Sequence, residues 1–196
     1  MSETQNKGTG AGGSTTNHNG FAFENKTDNE SRLISNGFIR KNITGKEKTK
    51  YGYYFEKSDA KHTIHFMTQN GLKYYMACFH QKELFREVDE AYVFRDNLTG
   101  TITVKILEKK NQNRSGSVED KLCLGHYFKF VEYPSCLGEK FQVEYAFCIS
   151  TFLKKIYNSD HKKWKIIKES NEKNNIPVLF GDDDDYYSKL DEWINS

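Results

Sequence analysis

Residues 101–108, Thr-Ile-Thr-Val-Lys-Ile-Leu-Glu, leave the chain little choice of conformation. Ile102, Val104 and Ile106 recur at every second position, with Thr103 and Lys105 between them. The β-branched side chains are stiff and suit a pleated surface better than a helix. Alternation with period two then sends them to one face. A lone strand needs a partner, and Glu90-Ala91-Tyr92-Val93-Phe94 supplies one, with Asp96-Asn97-Leu98-Thr99-Gly100 as the turn between. The spacing predicts a β-hairpin.

Other strands are predicted at Tyr53-Tyr54-Phe55 and Thr63–Met67, separated by a turn at Asp59-Ala60-Lys61, and again over Val143–Ile149 and Ile176–Gly181. Leu72–Phe79 fits a strand or a short helix. Helical spacing follows Ser150 (Phe152-Leu153, Ile156-Tyr157), and a last helix is expected over Tyr186–Ile194. Its preceding aspartates, Asp182–Asp185, would meet the helix dipole. Two more helices are expected, one near Asn19 capped by Asn17 or Asn19, the other capped by Ser117 with Asp120 three residues on. The order is helix, strands, hairpin, helix, strand, helix, strand, helix. It predicts an α/β fold with a central mixed β-sheet flanked by helices.

The chain of 196 residues suits one domain over 20–196, preceded by a Gly/Ser/Thr/Asn-rich segment, 1–19, too polar to offset its ordering entropy. No apolar run approaches the roughly 18–20 residues that span a bilayer, and the N-terminus has no signal-type apolar stretch. A soluble, cytoplasmic protein is expected. The four cysteines form no CxxC pair and read as small buried or half-buried thiols. Net charge is only +2, but Arg40–Lys61 and Lys154–Lys173 are basic. Either stretch is a solvated face or a grip on phosphates. Gly8–Gly13 lacks the Lys-Ser/Thr pair of a phosphate loop. Asn17-His18-Asn19 lacks the setting of a histidine nuclease, and His62 and His65, three apart on a strand, face opposite sides.

The chemistry-bearing group is Asp89 with Glu108 and Lys110. Glu108 and Lys110 are two apart near a strand end and share a side, with Lys109 pointing away. If the hairpin forms, Asp89 comes to the same end, with Glu90 as its one-residue alternative. Two carboxylates offer hard oxygen donors to Mg²⁺. Such an ion polarises a phosphate and acidifies a bound water, and a lysine orients that water and offsets charge. The set suits phosphodiester hydrolysis.

Asp89…Glu108-x-Lys110 resembles the signature of the PD-(D/E)xK nuclease superfamily. The flanking text is similar to a group of type II restriction endonucleases. It comprises Gly10-Ala11-Gly12-Gly13, Asn19-Gly20-Phe21-Ala22-Phe23-Glu24-x-Lys26-Thr27, Val88-Asp89-Glu90-Ala91-Tyr92, Glu108-Lys109-Lys110-Asn111-Gln112, Gly116–Leu122, Val143-Glu144-Tyr145 and Ile176–Gly181. The resemblance implies a restriction-endonuclease-like core and Mg²⁺-dependent, sequence-specific cleavage of double-stranded DNA. It implies a third acidic metal group at Glu24 and a supporting role for Gln112. Val88 stands where many relatives have proline. Cutting both antiparallel strands calls for a homodimer, and restriction in a bacterial or virus-infected cell calls for protection, as by a companion DNA methyltransferase. A structure-specific or repair nuclease on the same core, and a catalytically silent DNA-binding protein, are the alternatives.

Overall fold

The computed structural model describes residue 23, residues 26–112 and residues 121–196. The expected helix starts at Asn19 and Ser117, the segment 1–19 and Glu24 lie outside the described residues. The elements follow as α1 (Glu30–Ser35), β1 (Ile39–Asn42), β2 (Tyr53–Ser58), β3 (His62–Gln69), α2 (Gly71–His80), β4 (Val88–Asp96) and β5 (Ile102–Lys110). A helical segment, α3 (residues 122–137), comes next, then β6 (Phe141–Ile149), α4 (Thr151–Tyr157), α5 (Lys162–Lys173), β7 (Val178–Phe180) and α6 (Tyr186–Asn195).

The seven strands form one sheet in chain order, β1 to β7. The first five pair antiparallel, and β5, β6 and β7 run parallel. The fold is therefore α/β with a mixed sheet flanked by helices. The predicted hairpin is β4–β5, with Val93 opposite Val104. One face buries Val104, Ile106, Tyr145 and Phe147 beneath Leu72 and Met76 of α2, Leu122 and Tyr133 of α3, and Leu153, Trp164 and Ile167 of α4 and α5. The other buries Phe55, Phe66, Tyr92 and Leu107 under Phe23, Leu33 of α1, and Leu190 and Trp193 of α6. Among the described residues no helix is long and apolar enough to cross a membrane.

Several departures from the sequence reading have clear causes. Strand β1 was not foreseen, because all four of its residues are exposed and show no apolar alternation. Leu72–Phe79 resolves as helix, since Leu72, Tyr75 and Met76 fall on one buried stripe at helical spacing. The helical spacing after Ser150 corresponds to α4, and a second helix absent from the sequence reading, α5, follows residues 158–161, where the His161 ring accepts the Lys163 N–H. The aspartates before α6 do more than meet its dipole. The Asp182 carboxylate accepts the Thr151 N–H at 2.7 Å and its hydroxyl at 2.8 Å, so it caps α4. Asp183 takes Lys154, and Asp185 takes Lys189 one turn along.

Candidate active site

The site is assembled at one end of the β4–β5 pair. Glu90 lies opposite Leu107, which makes Asp89 and Glu108 neighbours on adjacent strands. Strand β4 also carries one residue too many there. Thr68 pairs with Glu90 and Gln69 with Val88, so Asp89 has no counterpart on β3. A bulge of this kind re-aims the extra side chain. It also explains why Val88 and Ala91, an odd number apart, enter the same core. Val88 is thus a buried core residue directly before the bulge. Asp89 Oδ2 accepts the main-chain N–H of Lys109 at 2.6 Å, which pins the carboxylate to the neighbouring strand.

Glu108 and Lys110 share a face as their spacing requires, and the Lys110 ammonium donates a short hydrogen bond to Glu108 Oε1. Both line a cleft of about 430 Å³ with Arg86, Lys121, Phe128 and Tyr133. Burial raises the Glu108 carboxyl above the ordinary glutamate value. The Lys110 charge opposes that rise, and the nearby Asp89 charge adds to it. Two adjacent carboxylates, one of them made reluctant to ionise, form a place where a cation is favoured. The oxygen-only donor set suits a hard ion such as Mg²⁺, which retains several waters. Among the described residues no group of three or more His, Cys, Asp or Glu side chains converges. Asp89 and Glu108 would therefore be the described donors.

Behind this face lies a second polar assembly. Lys109 does point away from Glu108, and it is buried. Its ammonium donates to Glu90 Oε1 at 2.7 Å and to the Thr27 carbonyl at 2.9 Å. Glu90 also accepts the Tyr92 hydroxyl at 3.3 Å, and Asn29 donates to that hydroxyl oxygen. Arg32 donates to Asn29 at 2.6 Å and reaches Asp191 of α6. Burial raises the Glu90 carboxyl despite Lys109. Burial weakens the Lys109 ammonium, but Glu90 more than restores it. Glu90 thus belongs to this back-face network, and Asp89 alone stands with Glu108.

Gln112 follows β5 and meets the start of α4: its N–H donates to Ser150 Oγ, and Ser150 Oγ donates to its carbonyl, both at 3.4 Å. It ties the end of β5 to the following layer. Sequence reasoning missed the cleft wall supplied by α3. This segment contains a π-helical turn, Phe128–Glu132, a feature frequent at functional sites. The turn buries Glu132, which accepts Arg86 Nε at 2.6 Å, and Arg86 also stacks over Phe128. Only the aromatic density of Tyr127-Phe128-Lys129-Phe130 hinted at it. Lys121 likewise reaches the cleft and lowers the Glu108 carboxyl.

The histidines separate as expected. His62 is exposed, while His65 lies between Glu56 (3.1 Å) and the Tyr75 hydroxyl (3.0 Å) in an aromatic cluster. That makes His65 part of the packing. Cys148 is buried with its thiol pushed up to about 12 by burial, and Cys136 is half-buried, as read from the sequence. Cys78 and Cys123 are exposed, against that expectation, because their helices turn these positions outward. No protein-family model, no curated protein and no solved structure matches the chain.

Proposed function

We propose that the chain is a Mg²⁺-dependent endonuclease of the type II restriction kind, which hydrolyses phosphodiester bonds in double-stranded DNA. The observation that carries this reading is the bulged Asp89 on the strand beside Glu108, which itself shares a cleft with Lys110. Asp89 and Glu108 would hold the ion, which supplies a polarised phosphate and a more acidic water. Lys110, in contact with Glu108, lies where it can orient a water and offset phosphate charge. Lys121 brings further positive charge to the cleft that a phosphate would enter, where the Arg86 charge is already met by Glu132. Gln112 supports the strand end. Glu24 is kept as a third acidic donor from the resemblance. The mixed sheet with its antiparallel hairpin is compatible with a restriction-endonuclease-like core. A homodimer, and a companion methyltransferase, belong to the same reading.

The test is digestion of a plasmid with Mg²⁺ by the wild-type chain and by Asp89→Asn, Glu108→Ala and Lys110→Met. Wild-type protein should give discrete fragments. The two carboxylate variants should give none, and Lys110→Met should cut about 10²–10³-fold more slowly. Fragments of undiminished yield from both carboxylate variants would reject the site.

A further inference from the structure

All seven strands bring one end to a common rim of the sheet. Following the register from β1, that rim runs through Asn42, Tyr53, Thr68, Asp89, Glu108 and Lys110, then Ile149 and Phe180. The loop between β1 and β2, residues 43–52, therefore opens at the same end as the acidic pair. With strands spaced by roughly 4.8 Å, it stands about 10–15 Å from Asp89. That is comparable with the width of a DNA major groove, about 12 Å.

This loop is built as a rigid body. Ile43 is fully buried beneath it, and its N–H donates to the Gly52 carbonyl at 2.8 Å to close the ring. Three successive turns fill the interior, from Lys46 to Ile43, Thr49 to Lys46 and Gly52 to Thr49. Any Cβ at Gly52 would meet the Lys46 carbonyl oxygen at 1.8 Å, so the loop can close only on glycine. The Cys78 thiol donates to the Thr44 carbonyl and fastens the loop to α2. This rigid frame presents Lys46 and Lys48. Among the described residues neither has a carboxylate partner. Lys46 stands over the Tyr74 ring instead, 5.1 Å from its centroid.

We infer that the 43–52 loop is a clamp for the phosphate backbone of duplex DNA, placed alongside the scissile site and gripping through Lys46 and Lys48. The inference rests on the nuclease reading for its partner. A preformed loop loses little entropy on binding, and ammonium groups not held in an ion pair are those that release counterions from DNA; the Glu47 carboxylate between Lys46 and Lys48 accepts the Gly45 N–H at 2.9 Å. In the other basic segment Lys154 is already paired with Asp183 and Lys165 with Asp160.

The experiment measures binding of a fluorescein-labelled random-sequence duplex, without divalent metal, across a salt series. The proteins are wild type, Lys46→Ala/Lys48→Ala, and Lys162→Ala/Lys168→Ala on α5. The loop variant should reduce the slope of log affinity against log salt by about 2, one for each lost phosphate contact. Its melting temperature, and the rise in that temperature with Mg²⁺, should match wild type. An unchanged slope, or an equal reduction in the α5 variant, would overturn the clamp. If wild type cuts DNA and the loop variant binds like it, the clamp fails and the nuclease reading stands. If the slope drops as stated and no protein cuts, the clamp stands and the nuclease reading fails. A wild type that binds no duplex rejects the clamp, and one that also cuts no plasmid with Mg²⁺ rejects both.

Discussion

Glu108 ionises against its surroundings. Burial raises its carboxyl, and the Lys110 charge, though it outweighs the repulsion from Asp89, does not cancel that rise. Below the ordinary glutamate value of 4.5 the group is protonated in folded and unfolded chains alike, and it imposes no penalty. As pH rises, the unfolded chain ionises first. Stability therefore falls between the ordinary value and the raised one, and the loss persists at neutral pH. Glu108→Gln removes this penalty. Its melting temperature relative to wild type should be higher at neutral pH than at pH 4, measured by thermal denaturation. Mg²⁺ should raise the wild-type melting temperature and leave Glu108→Gln unmoved. An equal Mg²⁺ response in both proteins would remove Glu108 from the metal site.

At the scale of elements, the β4–β5 hairpin is held from behind by a buried ion pair. Glu90 and Lys109 are 1% and 5% exposed in their side chains and 2.7 Å apart. Removing one partner of such a pair costs about 3–5 kcal/mol, while replacing both by neutral groups is often close to neutral. Lys109→Met should therefore destabilise strongly in urea denaturation, and Glu90→Gln/Lys109→Met should recover much of the loss. A cost below about 1 kcal/mol for Lys109→Met would show that the pair does not brace the hairpin. This element was also the most legible in the sequence. The alternation in 101–108 fixed its face, so Glu108 and Lys110 came out together and Lys109 on the reverse. Two features were not readable. The bulge at Asp89 depends on how β4 meets β3, a strand some twenty residues earlier. The cleft wall of α3 depends on tertiary packing against Tyr145 and Phe147, which leaves no periodic mark in 122–137.

For the whole molecule, the sheet divides labour between its two rims. Parallel pairing brings the ends of two distant segments, β6 and β7, to the end of β5 that carries Glu108 and Lys110. The α/β class and most strands could be read from local patterns. The chain-order arrangement of the sheet could not, because it is set by pairings between segments far apart in sequence. Strand β1 shows the limit: its exposed residues carry no apolar pattern, yet it supplies one anchor of the lysine-bearing loop.

The rim opposite the acidic pair holds the turn joining β4 to β5. Asp96 organises it by accepting the N–H groups of Leu98 and Thr99, and Leu98 is 81% exposed. Along β4, that turn lies about 24 Å from Asp89 at 3.4 Å per residue. A flexible insert after Leu98, such as a fluorophore-bearing or tethering peptide, should therefore leave plasmid digestion at wild-type rate. A tenfold slowing would mean that the two ends of the hairpin communicate. The far turn is in this sense a handle, by which the molecule can be anchored to a surface or watched without touching the end that carries Asp89 and Glu108.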